Sequence, residues 1–268
     1  MIKRIFYSIA IVLLLCQACI SQNTENAPTA LFQLSNPRVQ VSSIFFDSYT
    51  MLNFSVDMPN SIIKYTLDGS SVNQNAKVFS EPLKIQESAV IKAKMFHRDY
   101  KESDEVVVEV VKIAKNSAIK QVAIKPEPSE KYSGMGAMGL SDLKKGSAQF
   151  AGDKQWMGFQ TEKITASLQL EKNSTVNKIA VSVLTNQSNW IFAPGKIEVF
   201  NEGELIGERM FAKSEQETPN SPTFLQVPVS TGMYNTLNVV IHPLSEIPAW
   251  HQGKGTTPWF FIDEIITQ

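Results

Sequence analysis

At 268 residues with 43% hydrophobic side chains, the chain has room for one large or two modest domains with ordinary packed cores. Lysine and arginine total 25 against 26 for aspartate and glutamate, a balance that provides neither a broad basic field for nucleic acid nor an acidic tail. Both cysteines, Cys16 and Cys19, stand near the N-terminus, so the remainder carries no disulfide, zinc–thiolate site or cysteine nucleophile.

Lys3 and Arg4 precede the apolar run Ile5 to Leu15, too short to cross a bilayer comfortably and suited to a secretory signal over residues 1–18. Gln17-Ala18-Cys19 places a small residue directly before a cysteine and resembles the cleavage site of bacterial lipoprotein signals, although Cys16 stands where leucine is usual. The resemblance implies lipidation at Cys19 and a membrane anchor in the cell envelope, at the outer membrane or cell surface, with plain secretion as the alternative. Ser21 to Thr29 is polar and lacks a hydrophobic period, so residues 19–36 read as a flexible tether.

From Pro37 the chain changes to short runs rich in Val, Ile, Phe and Tyr, which predict strands near 39–46, 50–57, 61–67, 88–97 and 104–113. Ile63-Lys64-Tyr65-Thr66-Leu67 alternates and ends on Asp68-Gly69, a strong turn signal. With Val90 to Phe96 and the exit strand after Ser103, this region resembles the fibronectin-III-like module at the C-terminal side of chitobiases and β-hexosaminidases. The resemblance covers roughly 37–113 and implies a spacer, with Tyr65 and Asp68 structural. Residues 114–121 read as a linker.

Residues 122–268 show apolar runs at 164–170, 176–184, 190–200, 224–229 and 236–242 between polar turns, the pattern of an antiparallel sandwich without a helical layer. The fold class is therefore all-β, two sandwiches in series. Gly134-Met135-Gly136-Ala137-Met138-Gly139 fits the G-x-G-x-x-G dinucleotide pattern, but Pro126 and Pro128 interrupt the approach and no βαβ unit follows. It reads as a glycine-rich loop. The acidic pairs Asp104-Glu105 and Asp263-Glu264 invite comparison with the paired acids of glycoside hydrolysis; neighbours on a regular strand face opposite ways, and no space remains for a catalytic barrel. His97 and His242 read as ordinary strand residues, and Lys144-Lys145 and Glu202 to Glu208 as solvated surface.

Leu140-Ser141-Asp142, Gly146-Ser147, Trp156-Met157-Gly158-Phe159, Trp190 to Pro194, Pro248-Ala249-Trp250-His251 and Trp259 to Ile265 resemble, in that order, the discoidin-type, galactose-binding-like jelly-roll domain that closes many β-hexosaminidases and α-fucosidases. The resemblance implies a structural Ca²⁺ held by Asp142, Ser147 and Glu264, all oxygen donors as a hard cation requires. Leu143 stands where that family has glycine, and a leucine is not expected to adopt the positive φ that glycine allows; the alternative is a carboxylate satisfied by backbone N–H groups.

Sugars present apolar C–H faces and rings of hydroxyls, so their sites pair an aromatic platform with a few polar groups. Trp190, Trp250 and His251 are the candidate ligand-binding residues, and Trp156 and Trp259 read as core. The reading is a non-catalytic, lipid-anchored glycan-binding protein. Two alternatives stand beside it: an interaction scaffold in a surface glycan-processing assembly, and an accessory piece of a hexosaminidase, partnered by a glycoside hydrolase whose barrel is encoded elsewhere.

Overall fold

A computed structural model describes residues 32–113, 119–218 and 220–268. The segment read as a signal, Cys19 and most of the segment read as a tether lie outside the described residues. From Phe32 onward the segment read as tether is tied down: Leu34 is buried and donates its N–H to the Lys101 carbonyl at 2.9 Å, while the Lys101 N–H reaches the Phe32 carbonyl at 3.0 Å.

The first sandwich comprises β1 (Arg38–Val41), β2 (Phe45–Phe46), β3 (Thr50–Ser55), β4 (Ile62–Thr66), β5 (Lys77–Val78), β6 (Leu83–Ile85), β7 (Ala89–Phe96) and β8 (Val106–Lys112). Its two sheets run β1-β3-β6 and β2-β8-β7-β4-β5. β7 shows why: Ile91, Ala93 and Met95 alternate inward while Lys92 and Lys94 face out to Glu105 and Glu102. Leu52, Phe54, Ile63, Tyr65, Ile85 and Val110 complete the core, each large side chain worth roughly 1.5–3 kcal/mol of burial. Asp68 closes the turn after β4 by accepting the Ser70 N–H at 3.0 Å, and Gly69 supplies the positive φ of 77°.

The second sandwich contains β9 (Ile119–Lys125), β10 (Met157–Phe159), β11 (Ile164–Thr185), β12 (Lys196–Asn201), β13 (Glu204–Met210), β14 (Ser221–His242) and β15 (Phe260–Thr267). β9 begins at Ile119, inside the stretch read as linker, and pairs with β11. The order is β10-β15-β11-β14-β12-β13, with β9 also on β11. β11 and β14 are each 22 residues long. Their first paired section runs from Ile164↔Ile241 to Gln169↔Thr236, their second from Lys178↔Pro228 to Thr185↔Ser221, with register shifts between. The irregularities let both strands bend and serve both layers, which makes the sandwich one continuous ladder. Within the run read as 190–200, strand begins only at Lys196. The glycine-rich loop contains a single 3-10 turn, Ala137–Ser141, with Gly134 and Gly136 at positive φ.

The sandwiches meet across a small apolar contact. Phe45 and Val111 of the first pack on Ala180, Phe224 and Ile266 of the second, and the Phe45 and Phe224 rings meet edge to face at 5.6 Å. The Glu109 carboxylate accepts the Phe224 N–H at 3.3 Å, and the Gln268 amide donates to the Lys112 carbonyl at 2.7 Å. Burial pushes the Glu109 carboxyl above its ordinary range.

Candidate functional site

Trp190 and the loop before β15 come together as an aromatic cluster. After β11 the chain makes a 3-10 turn over Gln187–Asn189, capped by the Asn186 side chain, and Trp190 follows in the left-handed region at φ 64°. Its backbone is clamped on two sides: its N–H reaches the Gln187 carbonyl and its own carbonyl accepts the Trp259 N–H, both at 2.8 Å. Gly253 lies beneath the indole, where an added Cβ would stand 3.1 Å from the ring. The Trp190 side of the cluster faces solvent, with 38% of the residue exposed.

The other two predicted residues support this platform. His251 is buried; its Nδ1 accepts the Gly253 N–H and its Nε2 bonds the Gln187 carbonyl, both at 3.0 Å, so neither nitrogen is left for a ligand. Trp250 is half-buried against Phe192, Leu244 and Ile247, and its indole N–H donates to the Ser214 carbonyl at 2.6 Å. The His251 ring stands edge-on to Trp190 at 6.3 Å, Phe192 at 5.5 Å and Trp250 at 5.4 Å. Phe192 and Gly253 are the participants that sequence reasoning missed. Trp156 is fully buried, while Trp259 is half-buried.

The predicted cation ligands are not buried together: Glu264 is buried, Asp142 is half-buried and Ser147 is exposed. Ser182 of β11 pairs with Glu264 but Val183 pairs with Ile262, leaving Asp263 as the extra residue of a bulge. The rule that adjacent acids on a strand diverge therefore does not apply here, and Asp263 and Glu264 share one neighbourhood. Lys144-Lys145 is not simply solvated surface: the Lys145 side chain is 9% exposed, bonds Asp263 at 2.9 and 3.1 Å, contacts the Ser182 hydroxyl and lies 4.5 Å from the Trp156 ring centre. Asp263 also accepts the Gly146 N–H at 2.6 Å. Burial acts against both charges, lowering Lys145 and raising Asp263, and their mutual contact offsets it.

Glu264 has no such relief. It is fully buried, and neither carboxylate oxygen has a hydrogen-bond partner among the described residues. Burial, then the charges of Asp142 and Asp263, push its carboxyl up to about 9, and the N–H dipoles of Leu143 and Lys144, close by but outside hydrogen-bond geometry, soften the shift. Leu143 does adopt positive φ, 59°, in a turn closed by the Lys144 N–H on the Asp142 carboxylate at 2.9 Å, so the loop keeps the backbone for which glycine is usual. Ser147 is committed elsewhere: its N–H goes to Asp153 at 2.7 Å, its hydroxyl to the Gln149 carbonyl at 3.3 Å, and its carbonyl to the Trp156 indole at 2.9 Å. Among the described residues no three His, Cys, Asp or Glu side chains converge as a metal cluster. The orphaned, buried Glu264 carboxylate with the Asp142 carboxylate near it is nevertheless the kind of oxygen donor a hard cation takes.

The two acidic pairs stand in different surroundings. Asp263 and Glu264 are sealed from solvent. Asp104 accepts from Gln33 at 2.8 Å, and Glu105 accepts the Val72 N–H at 2.8 Å and pairs with Lys92 at 3.3 Å. His242, read as an ordinary strand residue, bonds Glu198 from the adjacent strand at 2.7 Å.

Residues 45–108 match the family model described as chitobiase/beta-hexosaminidase C-terminal domain. No curated protein matches the sequence. Among solved structures, the chain is similar to CpGH89CBM32-5 from Clostridium perfringens, in complex with GalNAc-beta-1,3-galactose, at 13% identity and TM-score 0.36, over 55% of this chain and 93% of that one. It is similar to a pectin binding carbohydrate binding module at 13% identity and TM-score 0.32, over 57% and 91%. A SusE-like protein, BT2857, aligns over 86% of this chain and 95% of its own at 8% identity and TM-score 0.36.

Proposed function

We propose that the protein binds glycans without transforming them, holding the sugar on loops at one end of the second sandwich with Trp190 as the platform. The observation that carries the reading is the Trp190 backbone. A bulky residue at positive φ costs on the order of 1–3 kcal/mol, and here that conformation leaves a large aromatic residue partly exposed with the buried His251 ring edge-on beside it. Such a surface suits the C–H face of a pyranose, and a fixed ring loses little entropy when the sugar arrives. Desolvated hydroxyls offset part of the gain, so single-site affinity is weak, and several tethered copies raise it through effective concentration.

Two further elements belong to the proposal. Asp142 and Glu264 would hold a Ca²⁺ ion, which supplies the positive charge that lets Glu264 ionise in its buried position. Cys19 carries the lipid that keeps the protein in the cell envelope; Cys19→Ser should move it from the membrane to the soluble fraction, and unchanged fractionation would remove the anchor.

A glycan array probed with the mature chain tests the main reading, followed by calorimetric titration of the best ligand. Trp190→Ala should weaken that ligand at least tenfold, about 1.4 kcal/mol, while leaving the unfolding midpoint unchanged. Retention of full affinity by the variant would move the site away from Trp190. Turnover of a chromogenic N-acetylglucosaminide by the purified chain would overturn the non-catalytic part.

A further inference from the structure

The glycine-rich loop and the segment before β10 enclose a concavity of about 760 Å³, lined by Lys131, Tyr132, Ser133, Phe150, Asp153 and Lys154 among others. Its size lies inside the range of small-ligand sites, about 300–1,000 Å³. Two half-buried aromatic rings form one wall, Tyr132 and Phe150, with centroids 6.0 Å apart. Both are braced from behind by Phe261, at 4.8 Å from Tyr132 and 5.4 Å from Phe150. Gly134 and Gly152 turn the two loops at φ 63° and 83°; a Cβ on Gly134 would stand 2.6 Å from the Met157 side chain, so only glycine lets that loop press against β10.

The charges in this groove are unequal. Asp153 also lines the groove, its two carboxylate oxygens accepting the N–H groups of Ser147 at 2.7 Å and Gln155 at 3.0 Å, so one carboxylate with both oxygens bonded to backbone stands against two ammonium groups. Lys131 and Lys154, one from each loop, have no carboxylate partner among the described residues, and Lys131 rests 5.1 Å over the Tyr132 ring centre. Trp259 lies between this groove and the platform, edge-on to Tyr132 at 5.2 Å and bonded through its N–H to the Trp190 carbonyl.

We propose that this groove is a second, separate saccharide site, selective for acidic sugars carrying a uronic carboxylate or a sulfate ester. The aromatic wall takes the C–H face of the ring, and the Lys131 and Lys154 ammonium groups meet the anionic substituent. The assignment rests on the second sandwich being a glycan-binding module, but it does not require Trp190.

Titration calorimetry on the mature chain at low salt tests it, with trigalacturonic acid, its fully methyl-esterified form and a sulfated chondroitin tetrasaccharide as probes. At least one acidic probe should bind ten or more times tighter than the neutral ester, and high salt should weaken it, since partly exposed ion pairs are screened. Lys131→Ala with Lys154→Ala should reduce that binding at least tenfold with an unchanged unfolding midpoint, whereas Trp190→Ala should leave it intact. Failure of both acidic probes to bind at millimolar concentration overturns the site, as does equal binding of acid and ester, or indifference to the lysine pair. Loss of acidic-sugar binding on Trp190→Ala alone would assign that binding to the platform instead; loss of array binding with the acidic probes retained would overturn only the platform.

Discussion

Glu264→Gln isolates the cost of a buried, unpartnered acid. With its carboxyl raised from 4.5 in the unfolded chain to about 9 in the fold, Glu264 binds a proton in the folded state that the unfolded chain has released. The stabilisation is fully present below about pH 4.5 and is lost as pH rises toward about 9, by roughly 1.4 kcal/mol per unit in between. Between about pH 5.5 and 7.5 the contribution therefore falls by on the order of 3 kcal/mol, a large share of the roughly 5–15 kcal/mol that holds a domain together. Glutamine keeps the shape and removes the titration, so the variant should be flatter across this interval and more stable than wild type at its upper end.

The chain's four tryptophans, Trp156, Trp190, Trp250 and Trp259, all lie in the second sandwich, so intrinsic fluorescence during urea unfolding reads that domain selectively. In chelator, the wild-type-minus-variant difference should open with rising pH. Added Ca²⁺ should stabilise wild type more at the upper pH than at the lower, because binding must displace the Glu264 proton, and should do little for the variant. Parallel pH dependence of the two proteins would refute the assignment of a raised carboxyl to Glu264. A pH difference without any Ca²⁺ response would leave the acid in place and remove the cation.

Lys145→Met should destabilise the second sandwich by about 3–5 kcal/mol, because Asp263 would lose its buried counter-ion, and Asp263→Asn added to it should recover most of the loss in the same urea assay. No recovery would show that Lys145 acts through packing on Trp156 and Phe224. Phe224→Ala removes the edge-to-face partner of Phe45 and should cost about 3 kcal/mol, splitting the calorimetric transition as the sandwiches uncouple. An unsplit, unshifted transition would mean that the contact does not couple them.

Periodicity made much of the fold legible. The alternation in β7 and the Asp68-Gly69 turn are local signals, and local chemistry decides them. β11 and β14 each read as two strands because polar residues, 171–175 and 230–235, interrupt the apolar pattern where the strands bend; periodicity registers the burial, not the hydrogen bonds that continue through it. Leu143 was misjudged on intrinsic preference alone: its exposed side chain and the Asp142 turn accommodate φ 59°. Lys145 was misjudged because its partner is 118 residues away. The aromatic loop showed which residue types converge, but exposure separates the Trp190 platform from the buried His251 that supports it, and exposure is a tertiary property.

β15 and the residue before it connect these features. Trp259 bonds Trp190, Phe261 backs Tyr132 and Phe150, Asp263 holds the Lys145 loop, and Ile266 packs in the cluster with Phe45 of the first sandwich. Phe260, Ile262 and Ile265 belong to the main core instead. A regular strand cannot satisfy both lists: alternation from Phe260 would send Glu264 into the apolar core and Ile265 out of it. The bulge at Asp263 resolves the conflict by adding one residue. It keeps Ile265 among hydrocarbon and turns both acids out of the apolar core, Asp263 onto the Lys145 ammonium group and Glu264 toward Asp142. The same irregularity reverses the phase of the residues after it, so that Ile266 reaches the interdomain contact while Ile265 stays in the main core.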